Sequence, residues 1–515
     1  MHGVGTVLLL VVLATAVAVG ARRWRVPAPS VLVLAGLAVA LVPGTPAVRI
    51  APETIGLIVL PPLLYASAEE LSLRDLRTVW RPVTALAFGL VLTSAAAVGA
   101  LAVALTPLTP AMAFVLGTVL ASTDPVAVSA LGRRLSLPGR VQALVQAESL
   151  FNDATSLVLF KVAVAVAAAA GSVGWSDAGG DFVLLAGGGC VVGAGLAWLV
   201  RLIRSRTEDP VLETVIALVT PYAAYVLAET AYASGVTAVV VAGVVLSRSG
   251  HRLSDARIRL QLHAVYAVVV FLLESVVFSL IGLQLPTLVR DLSKDAGLWP
   301  LQALAIAAVL VGLRVVWTLP LSVAVRPGRR RPSWRVASVL TWAGTRGVMP
   351  LAAALAIPLT ADDGSQLPGR TLVLVLTTAV VVFTLVVQGL SLAGVVNRSG
   401  LALEPEHTER EESATRDSLT RAGLGHLDQL ADLEAVPDTV LDRMRRSLTA
   451  RLDRPADPDG RADSEVAVYR ELRREVIAVQ NTELRRLYDE HRVSSTTRRK
   501  LQRDLDLEET GLGGA

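Results

Sequence analysis

Long apolar runs alternate along the chain with short punctuation by charge, Pro and Gly, and a helix needs roughly 20 apolar residues to cross a hydrocarbon core of about 30 Å. On that measure the pattern predicts thirteen spans, at about 4–21, 27–43, 51–68, 83–105, 111–131, 139–171, 181–203, 211–231, 235–247, 262–285, 298–325, 335–359 and 370–396. Cations collect on alternate connections: Arg22, Arg23 and Arg25; Arg74, Arg77 and Arg81; Arg133, Arg134 and Arg140; Arg201, Arg204 and Arg206; Arg248, Arg252, Arg257 and Arg259; Arg326, Arg329, Arg330, Arg331 and Arg335; and finally Arg398. The opposite connections carry only Arg49, Arg290, Lys294 and Arg370. Cytoplasmic loops are the ones enriched in Lys and Arg, so the N-terminus is expected outside and the C-terminus in the cytoplasm. Met1 to Gly5 lack the cationic stretch of a signal peptide, so the first span is expected to be retained.

Beyond about residue 400 the pattern changes. Segments of helical period, Glu465 to Leu487 and Ser495 to Leu507, are joined by Asp/Pro/Gly-rich stretches such as 453–460, which predicts a solvated helical tail over 401–515. Charge follows the same division. Residues 1–400 hold 29 Lys+Arg against 19 Asp+Glu, a net +10, whereas 401–515 hold 19 against 25, a net −6. With 53% hydrophobic and 18% charged residues in 515 and a mean hydropathy of +0.56, the chain is too oily for a soluble core and too long for a single anchor. The fold class is an all-α polytopic membrane protein over 1–400. One cysteine, Cys190, excludes an internal disulfide framework and a cysteine-based metal cluster. The arginines sit beside hydrophobic runs, which argues for lipid and against nucleic acid as the partner.

Ionisable side chains at membrane depth are expensive, and each is a functional hypothesis with a partner to find. The candidates are Asp124, Glu148, Asp153, Lys161, Glu213, Glu229, Glu274, Arg314 and Arg346. Glu213 and Glu229 lie near the ends of the eighth span, where a headgroup or loop contact suffices, and Lys161 can snorkel or pair. The fifth span contains Thr123-Asp124-Pro125, and a proline there predicts a break whose freed backbone groups need protein or water around them. Thr123 and Asp124 suit either of two tasks at that break, holding a cation or capping a half-helix.

In the sixth span Ser149, Asn152, Asp153 and Ser156 stand at i, i+3, i+4 and i+7, one oxygen-rich face of a helix, which is what a small hard cation needs in place of its water shell. A carboxyl group at Asp153, set among Val, Leu and Ala, is suited to exchange a proton near neutral pH. The twelfth span carries Gly344-Thr345-Arg346-Gly347-Val348-Met349-Pro350, a second predicted break. The two breaks lie seven spans apart on helices of opposite direction, the pattern of an inverted repeat, here spans 1–6 against 8–13, with the site at the crossing. Arg346 is placed to neutralise helix C-terminal dipoles there, and Glu148 is the natural counter-charge for Arg314. The run Gly187-Gly188-Gly189 with Gly193 and Gly195 reads as helix packing.

In order along the chain, Leu60-Pro61-Pro62-Leu63-Leu64-Tyr65, Thr123-Asp124-Pro125, Glu148-Ser149 with Asn152-Asp153, the Glu274 to Gly282 segment and Thr345-Arg346-Gly347 resemble the bacterial sodium/proton antiporters of the cation:proton antiporter-1 family. The resemblance covers about residues 5–400. It implies a homodimer in the plasma membrane, with a dimerisation subdomain framing a moving core and two crossed discontinuous helices at the site. It further implies that Asp153 is shared by Na+ and H+, that Na+ sits at Asp153, Asp124, Thr123 and Ser149 with Asn152 beside them, and that Glu148 and Arg314 form a structural ion pair. Na+ and H+ are then transported substrates, and no cofactor is expected. Family members with two adjacent aspartates at this place resemble electrogenic exchangers, and Asn152 stands where the extra carboxylate would be, so electroneutral exchange is expected. A K+/H+ antiporter on the same fold and a cation channel are the competing readings. An intramembrane aspartyl protease is disfavoured, since no Gly-x-Gly-Asp element occurs.

Overall fold

The computed structural model describes residues 2–24, 28–42, 56–71, 73–124, 139–169, 175–207, 209–253, 256–292, 297–325, 333–361, 364–400, 405–432, 438–452 and 461–490, with a few positions between 501 and 508. The described elements are helical. They fall into two compact units, Met1–Glu404 and Pro405–Ala515. In the second unit, helices Pro405–Asp432 and Asp438–Leu452 pack together, burying Leu427 and Leu441 and pairing Arg445 with Asp428 at 2.5 Å, and Arg461–Asp489 follows.

Among the described residues of the first unit, seven helices are long and apolar enough to cross a membrane: Leu76–Leu105, Arg140–Ala168, Gly179–Arg204, Pro210–Thr230, Ile258–Arg290, Trp299–Val323 and Arg370–Ser399. Shorter apolar helices, Val11–Ala21, Ala28–Ala40, Gly56–Glu69, Pro110–Ala121 and Gly235–Ser247, fall on the first, second, third, fifth and ninth predicted spans. Local chemistry sets several boundaries. Thr109 caps the helix Pro110–Ala121 through the amide of Met112 at 3.4 Å, with Pro110 in the first turn, where its missing N–H costs nothing. Asp209 caps Pro210–Thr230 in the same way, accepting from the amides of Val211 at 2.7 Å and Leu212 at 3.3 Å.

One boundary differs from the pattern reading. Arg74, Arg77 and Arg81 belong to a helix, Leu73–Thr84, that runs without interruption through a π-helical turn, Ala85–Leu90, into Val91–Leu105. Leu76, Val79 and Val83 form an apolar stripe at helical spacing while Arg77 and Arg81 stay exposed, so the helix continues well past its fully apolar part.

Close backbone approach fixes the packing of several helix pairs. Helix Ala28–Ala40 lies against Ala256–Arg290 with Gly36 and Gly282 at the contact, where a Cβ on either would strike the carbonyl of Ser279 or Val33. Gly188, Gly189 and Gly193 likewise admit residues 233–238 of the neighbouring helix, whereas Gly187 and Gly195 face open space. Large apolar side chains left exposed on the same helix, Val183, Leu184, Val191 and Trp198, are what a lipid-facing surface requires.

Candidate cation and proton site

In the interior of the first unit one helix ends and another is interrupted. Pro110–Ala121 ends in extended backbone at Ser122, and the twelfth predicted span divides into Trp334–Trp342 and Val348–Leu355 with residues 343–347 between them. The chain after Asp124, including Pro125, lies outside the described residues. Where the two unwound stretches meet, they exchange hydrogen bonds. The amide of Asp124 donates to the Thr345 carbonyl at 2.8 Å, and the Thr345 hydroxyl donates to the Asp124 carbonyl, also at 2.8 Å.

Charges sit at the helix ends in the sense that peptide dipoles favour. Asp124 places Oδ2 at 3.0 Å from the amide of Val348, the first residue of Val348–Leu355. Gly347 allows this, because a Cβ there would overlap the Asp124 carboxylate. Arg346 donates from Nη1 to the Ala121 carbonyl at 2.8 Å and to that of Ser122, closing the C-terminal end of Pro110–Ala121. Arg314 donates from Nε to the Leu340 carbonyl at 3.0 Å, in the last turn of Trp334–Trp342. Its other two nitrogens hold Glu148 bidentately, Nη1 to Oε1 at 2.6 Å and Nη2 to Oε2 at 2.9 Å, with both side chains buried. Arg314, on Trp299–Val325, thereby ties the broken twelfth span to the sixth.

The oxygen stripe of Gly139–Ala168 faces the crossing. Ser149 donates to the Thr123 carbonyl at 2.6 Å, and Asn152 donates from Nδ2 to the Thr123 hydroxyl at 3.1 Å, leaving its buried Oδ1 without a partner among the described residues. Asp153 is 6% exposed and accepts from the Ser122 hydroxyl at 2.5 Å through Oδ1. Its Oδ2 receives no hydrogen bond from the described residues. Ser156 turns back to the Asp153 carbonyl at 3.2 Å and stays within its own helix. Thus Thr123, Asp124, Ser149, Asn152 and Asp153 come together, with Arg346, Glu148 and Arg314 forming the surrounding charge frame.

Glu274, on Ala256–Arg290, makes no hydrogen bond or ion pair with the described residues. The remaining deep charges pair elsewhere: Lys161 with Glu229, and Glu213 with Arg204 at 2.9 Å, the latter fully buried. For Glu213 the partner is thus an arginine from the preceding helix, where a headgroup or loop contact was expected. Ser122 is the site residue that pattern reading missed. It lies outside the one-faced stripe, but the polar run Ser122-Thr123-Asp124 carried the signal.

An interrupted helix meeting a helix end inside an apolar helical bundle, with carboxylates and arginines at the ends, is the architecture of a secondary transporter. The chain belongs to the sodium/hydrogen exchanger family, whose transmembrane model matches residues 8–398. It is 34% identical over 522 residues to an uncharacterized Na+/H+ exchanger of Mycobacterium tuberculosis, covering 98% of this chain and 96% of that one. It is 30% identical over 470 residues, 90% of this chain and 86% of the relative, to the Na+/H+ antiporter ApNhaP of Aphanothece halophytica. Its fold is similar to that of the sodium proton antiporter MjNhaP1 from Methanocaldococcus jannaschii, with a TM-score of 0.62 at 20% identity over 76% of this chain and 99% of that one. The protein is therefore a multi-pass membrane protein of a cation/proton antiporter family.

Breaking the Glu148–Arg314 pair from one side strands a charge in low dielectric. Glu148→Leu or Arg314→Met alone is expected to lower stability by about 3–5 kcal/mol, seen as a lower thermal midpoint, and the double replacement is expected to recover most of the loss. Additive losses in the double variant would contradict a direct pair.

Proposed function

We propose that this protein exchanges Na+ for H+ across the plasma membrane, one for one and by alternating access, as a homodimer with its N-terminus outside and its C-terminus in the cytoplasm. The supporting observation is a buried carboxylate at the crossing, Asp153, with one oxygen held by Ser122 and the other without a hydrogen bond from the described residues. Protonated, the group is neutral and compatible with its apolar surroundings. Ionised, it needs a cation, and Na+ supplies one while drawing on oxygens of Thr123, Ser149 and Asp124. The unpartnered Oδ1 of Asn152 is a further oxygen at the same place. Since one carboxylate serves both ions, H+ and Na+ exclude each other, and each crossing of the membrane carries one or the other.

Electroneutrality follows from the neighbours. Asn152 cannot titrate, and Asp124 is committed to the amide of Val348 at the N-terminus of Val348–Leu355, an environment that favours its charged form. Asp124 then acts as scaffold and partial ligand, and the count of exchanged charges is set by Asp153 alone. A continuous pore is at odds with a carboxylate enclosed between a helix end and an interrupted helix, which is why we favour exchange over a channel.

The experiment is proton flux in proteoliposomes driven by Na+, Li+ or K+ gradients. The wild type is expected to respond to Na+, and Asp153→Asn, which keeps size but cannot ionise, to lose exchange while remaining folded. Robust flux from that variant would refute the site, and a response to K+ in preference to Na+ would refute the ion. In the same vesicles, clamping the voltage with K+ and valinomycin is expected to leave the Na+-driven rate and end-point unchanged. Voltage dependence would refute the one-for-one ratio and point to titration of Asp124.

A further inference from the structure

The last long helix, Arg370–Ser399, contains a π-helical turn at Thr384–Gln388 that lies against the crossing. Such turns are rare and tend to aim a side chain where a regular helix would not. Here two side chains of the turn reach the twelfth span. The Thr384 hydroxyl accepts from the backbone amide of Arg346 at 3.2 Å, and Gln388 lines a water-sized cavity together with Thr384, Arg346, Arg314, Gly344 and Leu310. Gln388 is only 4% exposed, and its Oε1 has no hydrogen-bond partner among the described residues.

Arg346 faces the same cavity with the complementary deficit. Its guanidinium is buried, and its bonds to the described residues leave from Nη1, to the Ala121 and Ser122 carbonyls, while Nε and Nη2 make none. A buried acceptor or donor left unmet costs about 1–3 kcal/mol, so a lone acceptor and lone donors around one cavity call for a bridge. An ordered water with several polar partners meets both needs.

We propose that Gln388 is a positioning residue for Arg346. Its carboxamide oxygen accepts from a water in this cavity, the water accepts from the Arg346 guanidinium, and the guanidinium is thereby held on the carbonyls of residues 121 and 122. The consequence reaches the ion site through the backbone: Ser122 carries the hydroxyl that bonds Asp153, and the next residue, Thr123, carries the carbonyl that bonds Ser149. Gln388 thus tunes cation affinity without touching the cation. This rests on the exchange reading above.

Two variants in proteoliposomes separate the bridge from mere shape. Gln388→Met keeps the length and removes the acceptor, and Gln388→Glu keeps an acceptor. The Met variant is expected to raise the apparent KM for Na+ about tenfold, the equivalent of one lost hydrogen bond, with the maximal rate within about twofold of wild type, while the Glu variant stays within about threefold in KM. Equal shifts in both variants, or no shift in either, would overturn the proposal. If the Met variant does not fold, a water-resolving density map of the wild type decides: a peak within hydrogen-bonding distance of both Gln388 Oε1 and an Arg346 nitrogen supports the bridge, and a cavity without one overturns it. Failure of the exchange reading would look different, as a wild type without Na+-driven proton flux.

Discussion

A helix interrupted at membrane depth exposes its last carbonyls and its next amides to a solvent that offers no hydrogen bonds, each at a cost of several kcal/mol if unmet. In this protein the end of Pro110–Ala121 meets the interruption between Trp334–Trp342 and Val348–Leu355, and each supplies what the other lacks. Arg346 from the twelfth span closes the C-terminal end at Ala121, and Asp124 from the fifth opens the N-terminal end at Val348. Between them the two backbones bond directly through Asp124 and Thr345. The carboxylates of the site exist in an apolar bundle because this exchange of partners creates a polar interior for them.

The Glu148–Arg314 pair extends the same logic to the sixth span. A buried ion pair is weak evidence of net stability, since desolvation offsets most of the attraction. Its value lies in register. Arg314 touches the Leu340 carbonyl of one broken helix and both oxygens of Glu148, five residues before Asp153. The oxygen stripe is therefore set against the crossing by a bidentate contact whose geometry tolerates little sliding. Gly344 and Gly347 complete the arrangement, since side chains there would displace Arg314 and Asp124 respectively.

Much of this was legible in the sequence, for physical reasons. Thr123-Asp124-Pro125 and the cluster Gly344, Gly347 and Pro350 around Arg346 combine helix breakers with charge, and the charges were conspicuous because lipid makes them costly. Glu148 could be named as the counter-charge of Arg314 because a cation at membrane depth needs an anion there. What stayed hidden has no periodic or compositional signature. The π-helical turns at 85–90 and 384–388 sit in unremarkable apolar sequence, and Gln388 gave no sign that its amide would reach Arg346. Arg204 looked like a loop cation until the end of its helix brought it to Glu213. Helix Leu73–Thr84 was hidden because its cations read as a connection, although its apolar stripe keeps helical spacing.

One carboxylate, Asp153, is proposed as the place where the two ions compete. Proton release on Na+ binding to the purified protein, followed in weak buffer at a pH where Asp153 is mostly protonated, tests that most directly, because binding of a competitor must expel the resident proton. About one proton per bound Na+ is expected, with a yield that falls as pH rises and the site deprotonates in advance. Na+ binding without proton release at that pH, or undiminished release from Asp153→Asn, would contradict it.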